Sequence, residues 1–403
     1  MSQFPASGAQ EQQPSPDGQL PVPFGQAPPN IPQGQVHIPQ GQPPMPGFAP
    51  APPAPGGFAQ GQAAGTDHTQ FAPPTLEARL AERHRLSPLD HELRERIAAV
   101  RFEVGKVVVG QQHAVEGILL ALLCHGHVLL EGVPGVAKTL LVRTLAHALE
   151  LQSARVQFTP DLMPGDVTGS MIYDTRSGDF EFREGPVFTN LLIADEINRT
   201  PPKTQSALLE AMEERQVTVD GTTRPLPAPF LVAATQNPIE YEGTYPLPEA
   251  QLDRFLFKLV LELPPRDTEM EILTRHAAGF DPHDLREVQA VADIPTLLQA
   301  AERAGTVHVA PEVVEYIVDL VQATRLAPSL SLGISPRGAT RLLAAGQARA
   351  WLAGRAYATP DDIKSLIPMT FRHRVLLRPE AQMDGITVDQ VLSSIIETTR
   401  VPR

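Results

Sequence analysis

Apolar side chains first recur at helical spacing near residue 90. In DHELRERIAAVRFEVGKVVV, Leu93, Ile97, Val100 and Val104 fall three or four positions apart, which predicts a helix. A second amphipathic helix is expected over about 111–124. The pattern then changes. HVLLEG, 127–132, reads as a short buried strand, and LLVRTLAHAL, 140–149, returns to helical spacing. NLLIADE reads as a buried strand, PKTQSALLEAMEE as a helix, and APFLVAATQNP as a buried strand ending in a polar turn. FLFKLVLEL is one more apolar strand, ending at Pro264-Pro265. Apolar strands alternating with helices imply a mostly parallel sheet covered on both faces. After the double proline the strand signal almost vanishes. Helices are expected at about 267–278, 311–326, 336–355, 360–373 and 387–399, with Ser335 as an N-cap before Pro336 at the first helical position. The fold expected is α/β, a sheet domain over 79–265 followed by an all-α domain over 266–403.

Composition adds a third segment. Residues 1–78 hold 18 of the 42 prolines and no Lys or Arg, the first cation being Arg79. A stretch so rich in Pro, Gly and Gln has little to bury against its ordering entropy, so a disordered tail with polyproline stretches is expected. The single cysteine, Cys124, leaves no disulfide framework and fits a reducing cytoplasm. The longest strongly apolar run, GILLALLC at 117–124, is too short to cross a bilayer, and the N-terminus does not read as a secretory signal. A net charge of −13 argues against non-specific nucleic-acid binding, which runs on Lys and Arg contacts to phosphate.

The candidate chemistry starts after the first strand. GVPGVAKT comprises Gly132, Val133, Pro134, Gly135, Val136, Ala137, Lys138 and Thr139. Strand, glycine turn, helix is the context of a phosphate-binding loop. Backbone N–H groups at a helix N-terminus would cradle phosphate, the lysine would reach the β- and γ-phosphates, and the threonine hydroxyl would ligate Mg²⁺. Ala137 departs from the usual glycine. If its φ is negative, the helix has already begun there and alanine costs nothing. A plain glycine turn shares this spacing, so the partners matter. LLIADE places Asp195 and Glu196 at a strand end. In an ATPase the first would hold Mg²⁺ and the second would orient and deprotonate the attacking water; two solvated loop acids are the alternative. Asn237 in ATQNP could position the same water or simply turn the chain. Arg254, beside Asp253, could be half of a surface ion pair. Arg337, in the first turn of a helix, sits where the dipole disfavours a cation, and a local anion such as phosphate would explain it.

The ordered set GVPGVAKT, LLIADEIN, ATQNP, EAQLDRF and SPRG resembles AAA+ ATPases. More narrowly it is similar to the MoxR family, in which alanine precedes the loop lysine. FREGPVFTN at 182–190 and NRTPPKTQSALLEAMEERQV at 198–217 share that likeness, which covers roughly 90–403. The resemblance implies an AAA+ P-loop sheet domain followed by a helical lid, with ATP and Mg²⁺ between them. It gives Asn237 the sensor-1 role and Arg337 the sensor-2 role. It makes Arg254 an arginine finger acting on the neighbouring subunit, with Arg199 a weaker candidate for such a contact. It further implies a homo-oligomeric ring, a hexamer, that remodels protein clients as a chaperone-like maturation factor, with a von Willebrand factor A domain protein as partner and metal or cofactor insertion as a frequent end result. Segments 158–185 and 217–229 correspond to hairpin insertions facing the pore. Two other readings compete, a non-hydrolysing nucleotide-dependent scaffold or switch and a nucleic-acid motor. Glu196 counts against the first and the acidic charge against the second.

Some residues are set aside. His113, His125 and His127 lack ligand partners at metal spacing. Trp351 is expected in the core. The basic stretch FRHRVLLR, 371–378, is expected to be a solvated helix end.

Overall fold

The computed structural model describes residues 86–237 and 243–402. The tail read at 1–78 lies outside them, as do residues 79–85, residues 238–242 and the last residue. Helices α1 (Pro88–Gly105) and α2 (Gln112–Leu123) precede β1 (Val128–Glu131), and α3 (Lys138–Ala148) follows it. Then come β2 (Ser153–Gln157), the short α4 (Pro164–Thr168), a hairpin of β3 (Gly169–Asp174) and β4 (Asp179–Glu184), and β5 (Leu191–Asp195). Next are α5 (Pro202–Glu214), a hairpin of β6 (Gln216–Val219) and β7 (Thr222–Pro225), β8 (Leu231–Gln236), α6 (Glu249–Leu252) and β9 (Phe257–Val260). The remainder is chiefly helical: α7 (Arg266–Ala277), α8 (Ile294–Gly305), α9 (Pro311–Leu326), α10 (Pro336–Leu352), α11 (Pro360–Phe371), α12 (Pro379–Met383) and α13 (Val388–Thr398). Two short strands, β10 (Leu330–Leu332) and β11 (Leu376–Leu377), pair within it.

The long strands build one sheet in the order β2-β5-β8-β1-β9, every pair parallel. Successive side chains point to opposite faces of a strand, so an unbroken apolar run feeds two cores. Leu191 and Ile193 of β5 and Leu231 and Ala233 of β8 join one apolar cluster, with Val128 and Leu130 of β1, α2 and α3. Leu192, Ala194, Val232, Ala234 and Leu129 join the other, against Leu208, Leu209 and Met212 of α5. The first cluster continues without a break into α8–α11. The helical part therefore packs on the sheet-covering helices directly.

A polar knot joins the front of the chain to this helical part. Ser87 caps α1 in a reciprocal box with Asp90. The buried Asp90 carboxylate also accepts from Arg303 at 2.6 and 2.8 Å and from Trp351 Nε1 at 3.1 Å. The Arg303 guanidinium, with these further donors, holds the carboxyl far below the usual range despite its burial. Trp351 is fully buried, as its helical position suggested.

Several elements escaped the sequence pattern, β2 and helix α8 among them. β2 buries only Val156, so it carries neither an apolar run nor a turn signal. Helix α8 buries mainly Ala300, Ala301 and Ala304 and hides its N-cap in Asp293, whose side chain accepts from the Thr296 N–H at 3.0 Å. The basic stretch after α11 is a correction. His373 and Arg374 are buried rather than solvated, because their side chains satisfy backbone carbonyls of 253–256 that would otherwise be stranded.

Candidate nucleotide site

In a parallel sheet all C-terminal strand ends share one edge, and ligands bind outside that edge. The loop after β1, the acids Asp195 and Glu196 at the end of β5 and Asn237 after β8 share that edge. Gly132 is required because a Cβ would stand 2.7 Å from the Leu261 carbonyl oxygen, and Gly135 because φ is +89°. Lys138 Nζ donates to the Gly132 carbonyl at 2.6 Å, drawing the loop closed. Thr139, in the first turn of α3, donates to Asp195 Oδ2 at 3.3 Å. Behind the acids, Thr235 of β8 donates to Asp195 Oδ1 at 3.2 Å and accepts from the Glu196 N–H at 2.9 Å. Glu196 has a left-handed backbone, φ 56° and ψ 49°. That conformation is uncommon for a non-glycine residue and concentrates at functional sites. Its carboxylate accepts from Gln157 Nε2 at 2.5 Å and faces Arg199 Nη1 at 3.3 Å.

Ala137 does not have the negative φ that would have made it free of cost. It is left-handed, φ 62° and ψ 26°, and stands outside α3 as its N-cap. The loop turns through this residue to enter α3. An L-residue held there costs about 1–2 kcal/mol that glycine avoids, offset in part by the larger unfolded-state entropy of glycine. Ala137→Gly is therefore expected to raise stability by about 0.5–1 kcal/mol, read as a urea-midpoint shift at unchanged slope. A lowered midpoint would place the strain elsewhere.

Beside the loop opens a cleft lined by Val108, Ala137, Leu140, Ile272, His276 and Phe280. Its walls are the α1–α2 connection and α7. An apolar slot next to a phosphate loop suits a nucleotide base. The hard oxygens of Thr139 and Asp195 suit Mg²⁺, and the open space in front of Gly135 suits a phosphate chain. The residues present therefore fit a magnesium nucleotide.

The structure does not bring the two remaining arginines to this edge. Arg254 precedes β9, so it lies at the opposite end of the sheet. Arg337 lies with it. Its Nη2 donates to Glu213 Oε2 at 2.5 Å, and Glu213 is near the far end of α5, next to Arg215, which donates to the His125 carbonyl just ahead of β1 at 3.1 Å. The anion that Arg337 needs within its own chain is thus a carboxylate rather than phosphate. Arg337 foremost, with Arg254 and Arg341, holds the Glu213 carboxyl below its ordinary range. Burial and the neighbouring Arg337 lower Arg341 in turn. These cations outnumber their acid, and such a crowd is stabilised by a further anion. Asp253 pairs with Arg374 Nε at 2.5 Å instead of with Arg254. Arg374 also holds the Phe255 and Leu256 carbonyls at 2.6 and 3.1 Å, so the end of α11 grips the segment that carries Arg254. Burial lowers Arg374 to about 10, still charged at neutral pH.

Sequence reading missed Arg155, Gln157, Thr235 and Arg374. Arg155 and Gln157 stand two apart on β2 and share a face, a pattern visible only once β2 is known to be a strand.

Residues 127–257 match the ATPase family associated with various cellular activities (AAA), and residues 322–395 match the AAA lid domain. The chain is 50% identical over 299 residues to the uncharacterized protein YeaC of Bacillus subtilis, covering 74% of this chain and 92% of that protein. It is 45% identical over 311 residues to Chaperone MoxR1 of Mycobacterium tuberculosis, covering 75% of this chain and 81% of that one. A crystal structure of a Cytophaga hutchinsonii protein assigned as an ATPase superimposes with a TM-score of 0.73 at 41% identity, over 81% of this chain and all of the other. The loop, the strand-end acids and these relatives together place the chain in the MoxR family of AAA+ ATPases.

Proposed function

We propose that the protein hydrolyses ATP to ADP and phosphate at interfaces between copies of itself, in a closed ring of the hexameric kind, and uses the cycle to remodel protein clients. The observation that carries this reading is the separation of the arginines from the loop. Arg254 and Arg337 sit at the sheet edge opposite their own Lys138. A head-to-tail contact between copies brings one edge to the other, and repeated by rotation it closes a ring. Arg254 and Arg337 then meet the phosphates held by the adjacent protomer.

Within one site the roles follow from geometry. The loop N–H groups and Lys138 orient the phosphates. Thr139 and Asp195 would hold Mg²⁺, which supplies charge neutralisation on the β- and γ-phosphate oxygens. Glu196 takes the proton from the attacking water, Asn237 fixes that water, and the neighbour's guanidinium groups stabilise charge as it develops. Steady-state phosphate release from Mg–ATP tests the reading, run with and without DNA and RNA. Activity lost in Lys138→Ala supports it; no turnover in assembled protein sinks it, and strong nucleic-acid stimulation favours the motor reading.

Client contact is assigned to the two hairpins. β3–β4 puts Tyr173 and Phe180 opposite each other, both exposed, with ring centroids 5.3 Å apart. β6–β7 turns at Asp220-Gly221, where both φ values are positive, as a tight hairpin turn needs. Its Arg224 stacks 3.9 Å over Phe182, bracing one hairpin on the other. Exposed paired aromatics on a braced hairpin suit an unfolded chain, which offers apolar side chains. Tyr173→Ala with Phe180→Ala is expected to weaken capture of an unfolded polypeptide by about tenfold, the size of two moderate aromatic contacts. Unchanged capture at an unchanged melting temperature removes the hairpin from the client path. By family likeness, a von Willebrand factor A domain protein is the partner that presents the client, and the cytoplasm is the place of work.

A further inference from the structure

Asp195 Oδ2 accepts from two groups. One is Thr139 Oγ1, at 3.3 Å, and the other is Arg155 Nε, at 2.6 Å. The guanidinium therefore sits on the same oxygen that faces the metal-binding hydroxyl. Mg²⁺ demands near-ideal octahedral geometry and brings its own waters, so it and a guanidinium hydrogen bond compete for that oxygen. Arg155 is free to leave. Its side chain is 57% exposed, whereas that of Asp195 is 8% exposed, so the arginine approaches the buried acid from the solvent side.

Arg155 has a second link. Its Nη2 donates to Gln157 Oε1 at 3.3 Å, and Gln157 Nε2 donates to Glu196 Oε2 at 2.5 Å. One chain of hydrogen bonds thus runs from the metal-side acid, through two residues on one face of β2, to the acid that activates water.

We propose that Arg155 is a built-in counter-ion that stands in for magnesium on Asp195 and is exchanged for it when the metal nucleotide binds. Resting on the magnesium-nucleotide reading above, the exchange makes Arg155 a positioning residue. It keeps Asp195 neutralised while the site is empty and, on leaving, gives up its bond to Gln157 Oε1.

Competition has a sign that structural support does not. A residue that merely props Asp195 in place weakens metal binding when it is removed; a competitor strengthens it. The test is calorimetry of a non-hydrolysable ATP analogue at increasing MgCl₂, and in EDTA, for wild type, Arg155→Ala and Arg155→Lys. In Arg155→Ala the half-saturating Mg²⁺ concentration is expected to fall by up to about fivefold, the upper range for a partly exposed ion pair. Arg155→Lys should lie between. Analogue affinity in EDTA should fall, because Asp195 then faces the phosphates without a counter-charge. A higher or unchanged Mg²⁺ requirement in Arg155→Ala overturns the exchange. Thr139→Ala and Asp195→Asn separate this failure from that of the underlying reading. If they raise the requirement while Arg155→Ala does not lower it, only the exchange is wrong. If they too leave it unmoved, the metal assignment falls and takes the proposal with it.

Discussion

Glu196→Gln is expected to bind ATP with wild-type affinity and to lose turnover by about 10²–10⁴-fold, the range for a positioned general base. The substitution is nearly isosteric, so the contacts to Gln157 and Arg199 keep their shape while the proton acceptor is lost. The main-chain hold on this residue, Thr235 accepting the Glu196 N–H, does not depend on the carboxylate. Binding and chemistry should therefore separate cleanly, binding by calorimetry and chemistry by single-turnover phosphate release. Unchanged turnover would remove Glu196 from the mechanism and revive the scaffold reading. A lost affinity would instead point to a fault in the loop, since nothing in the arrangement gives Glu196 a direct grip on the nucleotide.

The second large effect belongs to the arginines at the far edge. Arg254→Ala should keep ATP binding, because the nucleotide rests on its own protomer's loop, and should lower turnover by about 10³–10⁵-fold, as loss of an arginine finger does. Arg337→Ala should behave in the same direction, since Glu213 places it beside Arg254 and away from its own loop. Mixing either variant with Glu196→Gln protein restores some activity. Random mixing pairs the two in the productive order at about one interface in four, so recovery approaches about a quarter of wild type. No recovery, with mixed assembly verified by light scattering, shows that the arginine does not act across an interface. For Arg337, weakened ATP binding in the isolated protomer would return it to a role within its own chain.

Much of this was legible along the chain. β5 and β8 announced themselves because a strand buried on both faces must be apolar at every position, and LLIA and LVAA are. The loop was legible because phosphate binding needs glycine, lysine and threonine at short, fixed separations. Asp195 and Glu196 were legible because two acids at the end of an apolar strand have no packing reason to be there. β2 was not, since an edge strand with one buried residue carries no period. Helix α8 was not, since alanine on its buried face gives a weak apolar stripe.

What the sequence alone determined about this protein is what neighbouring residues decide together: the sheet-forming runs, the loop, the acid pair and the family they mark. Periodicity and spacing are local properties, and a local rule reads them. Only the tertiary structure decided the left-handed turn at Ala137, the burial of Arg374, the far-edge position of Arg337 and the seat of Arg155 on Asp195. The last three pairings join residues 121, 124 and 40 positions apart. Ala137 is set by how the loop enters α3. A charge finds its partner through the geometry of the packed chain, and that geometry exists only after the apolar clusters on both faces of the sheet have closed.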